Sequence, residues 1–270
     1  MRMPERVRSA VLGSPNRPTR LANAIHSFLN RLPGERFPVV ACHGPLEGCR
    51  MRLDWHLHRS FMYGTWEPEV VKAISAEVQR GSVVADIGAH IGYYTLLLAR
   101  LVGPQGIVYA FEPVPENFEA LSENIRLNHC DWAKPLQMAV LEHAGHVEVS
   151  VPAGEPFPET ASVARGQGGQ RKSFGTISVD EFVAESHAPI SFIKLDAEGA
   201  EEQILRGARE TIASAHPTWL VELHQFDAYG ERHPALTQLR ESGYDIRWLN
   251  RWEYNAHILA RWPAVSGLEV

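Results

Sequence analysis

The chain has few cysteines and no long hydrophobic run. Cys42, Cys49 and Cys130 form an odd-numbered set without C-x-x-C spacing, which argues against a zinc site or a disulfide framework. No apolar run approaches the roughly 20 residues that a membrane-spanning helix requires. From these absences we expect a soluble protein in a reducing, cytoplasmic setting.

The sequence also lacks an excess of positive charge. The formal net charge is −6, so no overall basic field attracts nucleic acid, and we expect no nucleic-acid partner. The first 38 residues are a local exception, because they carry seven arginines against two glutamates. Residues 21–32 have the apolar spacing of a short amphipathic helix within this extension.

Residues 83–100, VVADIGAHIGYYTLLLAR, indicate a nucleotide-binding β-α unit. An apolar β-branched start predicts a buried strand, and a leucine-rich helix follows a turn of the form D-x-G-x-x-x-G. Asp86, Gly88 and Gly92 occupy the fixed positions of that turn. Gly88 permits a tight turn, and Gly92 would let a ligand approach the backbone. The first amides of the helix are free to bind an anionic group.

The acidic residue in this turn separates two classes of cofactor. Dinucleotide enzymes usually have glycine where this chain has Asp86, because a carboxylate there would repel the pyrophosphate. A carboxylate suits a cation, such as the ammonium and sulfonium groups of S-adenosylmethionine, whose own carboxylate can face the helix amides. The G-x-G-x-x-G pattern is missing. A nicotinamide-dependent oxidoreductase is therefore the disfavoured alternative, and a non-catalytic S-adenosylmethionine-binding protein is a third interpretation.

A second predicted strand, at residues 106–111, ends at Glu112. Glu112 lies 26 positions after Asp86, close to the spacing of about 20 expected for an acidic residue that binds ribose. Its carboxylate can accept hydrogen bonds from both ribose hydroxyls. Nicotinamide enzymes also bind the ribose through a carboxylate at a strand end. Glu112 therefore predicts an adenosine-containing ligand without deciding between the two cofactors.

Acidic residues and a histidine follow two later strands. The apolar run 190–195 ends at Asp196, and Glu198 follows; the run 217–224 places Glu222 and His224 on one face. Ligands of open α/β sheets bind at the carboxyl ends of strands. Asp196 and His224 are therefore the candidate bases for a transfer reaction. Alternatively, Asp196, Glu222 and His224 could hold magnesium or manganese.

The alternation of strands and helices predicts the architecture. We expect a Rossmann-like α/β fold, with a seven-stranded sheet in the order 3-2-1-4-5-7-6, an antiparallel last strand and flanking helices. Residues 1–66 are predicted to form an N-terminal extension and cap, and residues 67–270 the catalytic domain. Residues 152–175, rich in glycine and proline, are interpreted as a mobile flap over the substrate or as a passive insertion.

Four phrases in fixed order carry a family resemblance. They are DIGAHIGYYT, AFEPVPENFEALSENIRLN, FIKLDAEGAEEQILRGA and the strand ending VELH. Together they resemble the FkbM-type methyltransferase family, over roughly residues 64–261. The resemblance implies S-adenosylmethionine as cofactor and methylation of oxygen on a small molecule, sugar or natural product.

The resemblance also implies roles for individual residues. Cofactor binding falls to Asp86, Gly88 and Glu112, with Glu67 and Asn117 near the cofactor. Asp196 and Glu198 lie at the catalytic end. His90 stands where the family often has asparagine, beside Gly92 in the same turn, and is included among the candidate cofactor contacts.

Overall fold

The computed structural model describes residues 13–14, 17–18, 39–54, 57–151 and 170–263. The predicted helix at residues 21–32 and most of the predicted flap therefore lie outside the described residues. The chain divides into two compact units, Met1–Glu67 and Pro68–Val270. Within the described part of the chain, no helix is long and apolar enough to cross a membrane.

The first unit is built from short elements. In the residues of this unit that the structure describes, the strands form two antiparallel pairs, and an α-helix follows them. These elements are β1 (Gly13–Ser14), β2 (Arg17–Pro18), β3 (Val39–Ala41), β4 (Arg50–Arg52) and α1 (Arg59–Tyr63).

The described residues of the second unit form ten strands in two sheets. In chain order they are β5 (Val83–Ile87), β6 (Ile107–Phe111), β7 (Ala133–Leu136), β8 (Ala139–Val140), β9 (Gly145–Val151), β10 (Gln170–Ile177), β11 (Ile190–Leu195), β12 (Thr218–His224), β13 (Asp245–Arg251) and β14 (Asn255–Arg261).

The larger sheet has seven strands, in the order β7-β6-β5-β11-β12-β14-β13. Numbered along the chain within this sheet, the order reads 3-2-1-4-5-7-6, as the sequence predicts. The strands from β7 to β12 pair in parallel, whereas β14 is antiparallel to both of its neighbours. The Rossmann-like α/β prediction is confirmed.

The helices of the second unit precede the first parallel strand, connect the parallel strands, or lie between β12 and β13. They are α2 (Pro68–Glu77), α3 (Tyr93–Val102), α4 (Pro115–Leu127), α5 (Val179–Ser186), α6 (Glu201–Arg206), α7 (Arg209–Ala215), α8 (Phe226–Tyr229) and α9 (Pro234–Glu241). In α4, proline at the first helical position fixes the start of the helix. Ala120, Leu121 and Ile125 recur at helical spacing and are buried, so they form its inner face.

The hydrophobic core is centred on the middle strands of the large sheet. Ile193 and Leu195 of β11 and Trp219 and Val221 of β12 are fully buried. A strand in the middle of a parallel sheet is covered on both faces by helices, which is why these strands are almost continuously apolar. The charged residues within β11 and β12, which are Lys194, Glu222 and His224, interrupt this apolar pattern towards the carboxyl ends of the strands.

The prediction of an unstructured loop through residue 175 is wrong at its C-terminal end. Residues 170–175 belong to β10, which pairs antiparallel with β9 and parallel with β8. Phe174 of β10 is buried against Val149 and Val151 of β9. The polar, glycine-containing sequence hides this strand because its partner, not its composition, determines its conformation.

The capping of α5 generates a test of local stability. Ser178 is buried; its hydroxyl accepts a hydrogen bond from the Glu181 amide (3.1 Å), and the Glu181 carboxylate accepts one from the Ser178 amide (2.8 Å). Ser178→Ala should lower the free energy of unfolding by about 0.5–2 kcal/mol in chemical denaturation. Ser214→Ala is the control, because this exposed hydroxyl only bonds the Glu210 carbonyl within α7. Equal losses in the two variants would contradict the capping role.

Candidate functional site

The candidate site lies at the carboxyl edge of the large sheet. Asp86 lies near the end of β5, Glu112 follows β6, Asp196 follows β11, and His224 ends β12. Backbone hydrogen bonds hold these strand ends together, from the Gly88 amide to the Phe111 carbonyl (3.1 Å) and from the Asp196 amide to the Ile87 carbonyl (3.1 Å). The structure therefore brings the predicted residues of four strands to one edge.

Asp86 is fully buried and turned towards the protein. Its Oδ2 accepts a hydrogen bond from the Thr95 hydroxyl at 2.6 Å, and its Oδ1 lies 3.7 Å from Lys194 Nζ. Burial raises the pKa of Asp86, although Lys194 and Thr95 act in the opposite direction. The cation found beside Asp86 is thus a lysine of the same chain. Direct contact of Asp86 with a cofactor stays a prediction.

Lys194 is a residue that the sequence analysis missed. Its Nζ lies 3.1 Å from Asp196 Oδ2 and 3.3 Å from the Gly88 carbonyl oxygen, and 5.0 Å from the ring centre of Tyr94. Burial would lower its pKa, but the charges of Asp196 and Asp86 outweigh burial and raise it. The sequence did contain a signal for this residue, since Lys194 lies in a strand that is otherwise almost entirely apolar. A lysine is rarely buried without a carboxylate partner, so its position predicts an ion pair.

The two glycines of the turn are required by the protein itself. Gly88 has φ +77°, and a Cβ there would lie 1.7 Å from the Asp196 carbonyl oxygen. Gly92 has φ +94°, and a Cβ there would lie 2.8 Å from Leu121 Cδ1. The tight turn at Gly88 is as expected. The space beside Gly92, which the sequence analysis assigned to a ligand, is taken by a side chain of α4.

Glu112 is the centre of a buried group that includes two other predicted cofactor residues. Its carboxylate accepts hydrogen bonds from the amides of His90 (2.9 Å) and Val114 (3.0 Å) and from Asn117 Nδ2 (3.3 Å). His90 has φ +49°, the left-handed conformation that directs its amide at Glu112. Burial raises the pKa of Glu112 to about 7, against the opposing effect of the Val114 and His90 hydrogen bonds. Glu112, His90 and Asn117 therefore form one polar group.

Glu67, the remaining predicted cofactor residue, is the last residue of the first unit. Its φ is +39°, and Pro68 begins α2 directly after it. Its role in cofactor binding stays a prediction.

Four carboxylates surround His224. Its Nδ1 lies 2.7 Å from Glu201 Oε1, and its Nε2 lies 3.5 Å from Glu198 Oε1, 3.8 Å from Asp196 Oδ1 and 3.9 Å from Glu222 Oε1. The structure thus joins the three predicted catalytic residues, Asp196, Glu198 and His224. Glu201 has no predicted site role, yet its side chain is only 1% exposed and makes the shortest of these contacts.

The carboxylates determine the charge of the imidazole. Burial would lower the pKa of His224, but Glu198, Glu201 and Asp196 outweigh burial and raise it to about 12. The carboxylates therefore favour the protonated form of His224. A general base must first be neutral, so the predicted base role of His224 requires that something else replace this proton.

Glu222 is directed towards the neighbouring strand. Its Oε2 lies 3.3 Å from His257 Nε2, and its Oε1 accepts a hydrogen bond from Asn255 Nδ2. Both partners belong to β14, which pairs with β12 in antiparallel register. Glu222 therefore contributes charge to the surroundings of His224 while its own oxygens are held by β14.

The comparisons with known proteins agree with this geometry. Residues 86–246, more than half of the chain, match the model of the methyltransferase FkbM domain. The chain belongs to this family. The matched FkbM segment begins at Asp86 and includes Glu112, Asp196, Glu198 and His224.

Two curated methyltransferases resemble the chain at modest identity. Hexuronic acid methyltransferase AglP of Haloferax volcanii is 28% identical over 164 residues, covering 58% of this chain and 62% of AglP. The 31-O-demethyl-FK506 methyltransferase FkbM of Streptomyces tacrolimicus is 27% identical over 201 residues, covering 63% of this chain and 75% of the relative. The chain thus spans less than two thirds of the length of AglP.

A solved structure supports the fold. TYW2 of M. jannaschii, in complex with AdoMet, superposes with a TM-score of 0.50 at 16% identity, covering 85% of this chain and 87% of TYW2. At this identity the likeness concerns the fold alone.

The raised pKa of Glu112 predicts a pH dependence of stability. Between pH 4.5, the ordinary value, and about 7, the folded chain keeps a proton that the unfolded chain has lost. The free energy of unfolding should therefore fall as the pH rises through this window. In Glu112→Gln the decrease in the free energy of unfolding between pH 4.5 and 7.5 should be smaller than in wild type by roughly 1–3 kcal/mol. Denaturant titration without ligand measures this difference.

The control for this experiment is Glu119→Gln, an exposed position on α4, the helix that follows Glu112. It removes one negative charge without touching the buried group. An identical pH profile for wild type and Glu112→Gln would show that Glu112 does not cause the slope.

Proposed function

We propose that the chain transfers a methyl group from S-adenosylmethionine to a hydroxyl oxygen of a small molecule or glycan. The observation that carries the proposal is the pairing of two polar groups at one sheet edge. The Glu112 group suits the adenosine end of the cofactor, and the group of Asp196, Glu198 and His224 suits an acceptor that must lose a proton. Membership in the FkbM family supports the cofactor class.

The ribose is assigned to Glu112. A carboxylate offers about four acceptor positions, and three are used by His90, Val114 and Asn117, so about one remains for a ribose hydroxyl. The three N–H groups fix the carboxylate in a single orientation before the cofactor arrives. Asp86 and Gly88 are assigned to the same cofactor site, because the turn that contains them also contains His90, whose amide donates a hydrogen bond to Glu112.

Methyl transfer then follows from alignment. The acceptor oxygen forms a bond to the methyl carbon while the carbon–sulfur bond breaks. The hydroxyl proton is accepted by the carboxylate- and histidine-containing group at the sheet edge. Holding the oxygen in line with the methyl group can contribute about 7–11 kcal/mol, and proton removal about 10²–10⁴-fold in rate. Asp196, Glu198 and His224 are the residues assigned to that second task.

The relatives support oxygen as the acceptor atom. One is named a hexuronic acid methyltransferase and the other a 31-O-demethyl-FK506 methyltransferase. A sugar or uronic acid offers both hydroxyl and carboxyl oxygens, and the two products differ chemically. A methyl ether survives mild alkali, whereas a methyl ester is hydrolysed to methanol.

Incubation with labelled methyl donor and a panel of hexuronic acids, neutral sugars and polyketide alcohols should give an alkali-stable product; an alkali-labile product would indicate carboxyl methylation.

Cofactor binding is tested at Glu112. Glu112→Ala should weaken S-adenosylmethionine binding about 10- to 150-fold in calorimetry, the equivalent of about 1.5–3 kcal/mol for a charge-assisted hydrogen bond. Glu116→Ala is the matched control, because its exposed carboxylate lies in the first turn of α4, the helix that follows Glu112, and pairs with Lys172 at 2.7 Å. NAD titrated beside the methyl donor should not bind. Unchanged affinity in Glu112→Ala would contradict the ribose assignment.

The catalytic assignment is tested at Asp196 and His224. Asp196→Asn and His224→Ala should each lower turnover by roughly 10² or more, because both lose a group that acts on the acceptor. Affinity for S-adenosylmethionine should stay within a few-fold of wild type. Glu202→Gln is the control, since this half-exposed side chain pairs with Arg206 away from His224. Near-normal turnover in both site variants, with the chain folded, would overturn the assignment.

A further inference from the structure

We propose that Asp196, Glu198 and His224 bind one divalent metal ion of the manganese or magnesium class. The existence of this site is independent of the proposed function; only the role given to the ion, activation of the acceptor oxygen, rests on it. The inference follows from the orientation of His224, the spacing of the three donor atoms and the charge around them.

His224 is oriented as metal-binding histidines are. Glu201 Oε1 lies 2.7 Å from Nδ1 and also accepts a hydrogen bond from the Gly199 amide at 2.9 Å, so the buried carboxylate is itself fixed. A carboxylate at Nδ1 keeps the proton on that nitrogen and leaves the lone pair on Nε2. A histidine that ligates a metal usually donates the N–H of its other ring nitrogen to a carboxylate in this way.

The spacing around Nε2 fits ligands of one ion better than hydrogen bonds. Glu198 Oε1 and Asp196 Oδ1 lie 3.5 and 3.8 Å from Nε2, beyond the usual hydrogen-bond range of about 2.7–3.2 Å. Two atoms that each bind an ion at about 2.1–2.3 Å lie about 3.0–3.9 Å apart for ordinary coordination angles. The three donor atoms lie within 4.8 Å of one another.

The carboxylates are held so that one oxygen of Asp196 faces the proposed ion. Lys194 Nζ contacts Asp196 Oδ2 at 3.1 Å, which leaves Oδ1 on the side of His224. The charge of the surroundings also favours a divalent cation, because five carboxylates lie around Lys194 and His224. They are Asp86, Asp196, Glu198, Glu201 and Glu222.

The ligand set differs from the one predicted from the sequence. That prediction joined Asp196 and His224 with Glu222, which shares a strand face with His224. In the structure Glu222 is held by Asn255 and His257, and Glu198 comes closer to Nε2. Carboxylate oxygens suit magnesium and manganese, and one imidazole nitrogen among them favours manganese. An ion there would bind the acceptor hydroxyl and lower its pKa.

Manganese itself is the probe for the first experiment. The full chain, stripped with EDTA and dialysed, is titrated with Mn²⁺ while electron paramagnetic resonance measures the free ion. Wild type should bind about one Mn²⁺ per chain. Asp196→Asn and Glu198→Gln should weaken binding at least tenfold, and Glu201→Gln about 10- to 100-fold as an outer support. Glu202→Gln, the next residue on α6, should bind as wild type does.

A second readout uses the unsubstituted protein. In nitrogen-15 spectra of the histidine rings, added Mg²⁺ or Zn²⁺ should remove the Nε2 proton of His224 and leave that of Nδ1. Absence of Mn²⁺ binding together with an unchanged His224 spectrum would overturn the inference. Mn²⁺ binding by Asp196→Asn and Glu198→Gln that is as tight as that of wild type would also overturn it.

The failure of this inference can be told from failure of the proposed function. Methyl transfer at the full rate in EDTA, with S-adenosylmethionine bound, would overturn the activating role of the ion and leave the methyltransferase intact; the Mn²⁺ titration decides whether the site exists. Stoichiometric Mn²⁺ binding that is lost in the site variants, without methyl transfer to any acceptor of the panel, would support the site and contradict the function.

Discussion

The buried ion pair of Lys194 with Asp86 and Asp196 is the contact on which the rest of the site depends. It joins the ends of β5 and β11, the two central strands, and lies at the point where the chain crosses from one half of the sheet to the other. Asp86 could not remain in this interior as an unpaired charge, because removal of one partner of a buried pair typically costs about 3–5 kcal/mol. The approach of the Asp196 backbone to Gly88 follows from the same junction.

This ion pair divides the edge into two chemical environments. On one side, Glu112 is buried among N–H donors, and its pKa is raised to about 7. On the other side, His224 is surrounded by carboxylates. On this second side Lys194 contacts Asp196, through Oδ2, so the remaining negative charge around His224 can attract a second cation. The two tasks of the proposed reaction, holding a neutral ribose and deprotonating an acceptor, need these two different environments.

Features that depend on periodicity and on strand ends could be predicted from the sequence. The bounds of β11 were read directly from an apolar run that ends in Asp196, and the meeting of Asp196 with His224 is a consequence of parallel pairing. Partners chosen across the fold could not be predicted. Glu201 has an adequate local explanation at a helix start, and nothing in its spacing points to His224 Nδ1. The strand β10 is similarly hidden, because only pairing with β9 makes its polar sequence extended.

The carboxylates around His224 also bear on the direction of the proposed reaction. S-adenosylmethionine carries a cationic sulfonium, and transfer of its methyl group leaves a neutral thioether. An edge with more carboxylates than basic partners attracts the cationic donor more strongly than its neutral product. The same excess would disfavour an anionic acceptor such as a uronic acid, unless a divalent ion at His224 reversed the local charge. An acidic acceptor therefore requires the proposed metal ion, whereas a neutral hydroxyl acceptor needs the ion only for activation.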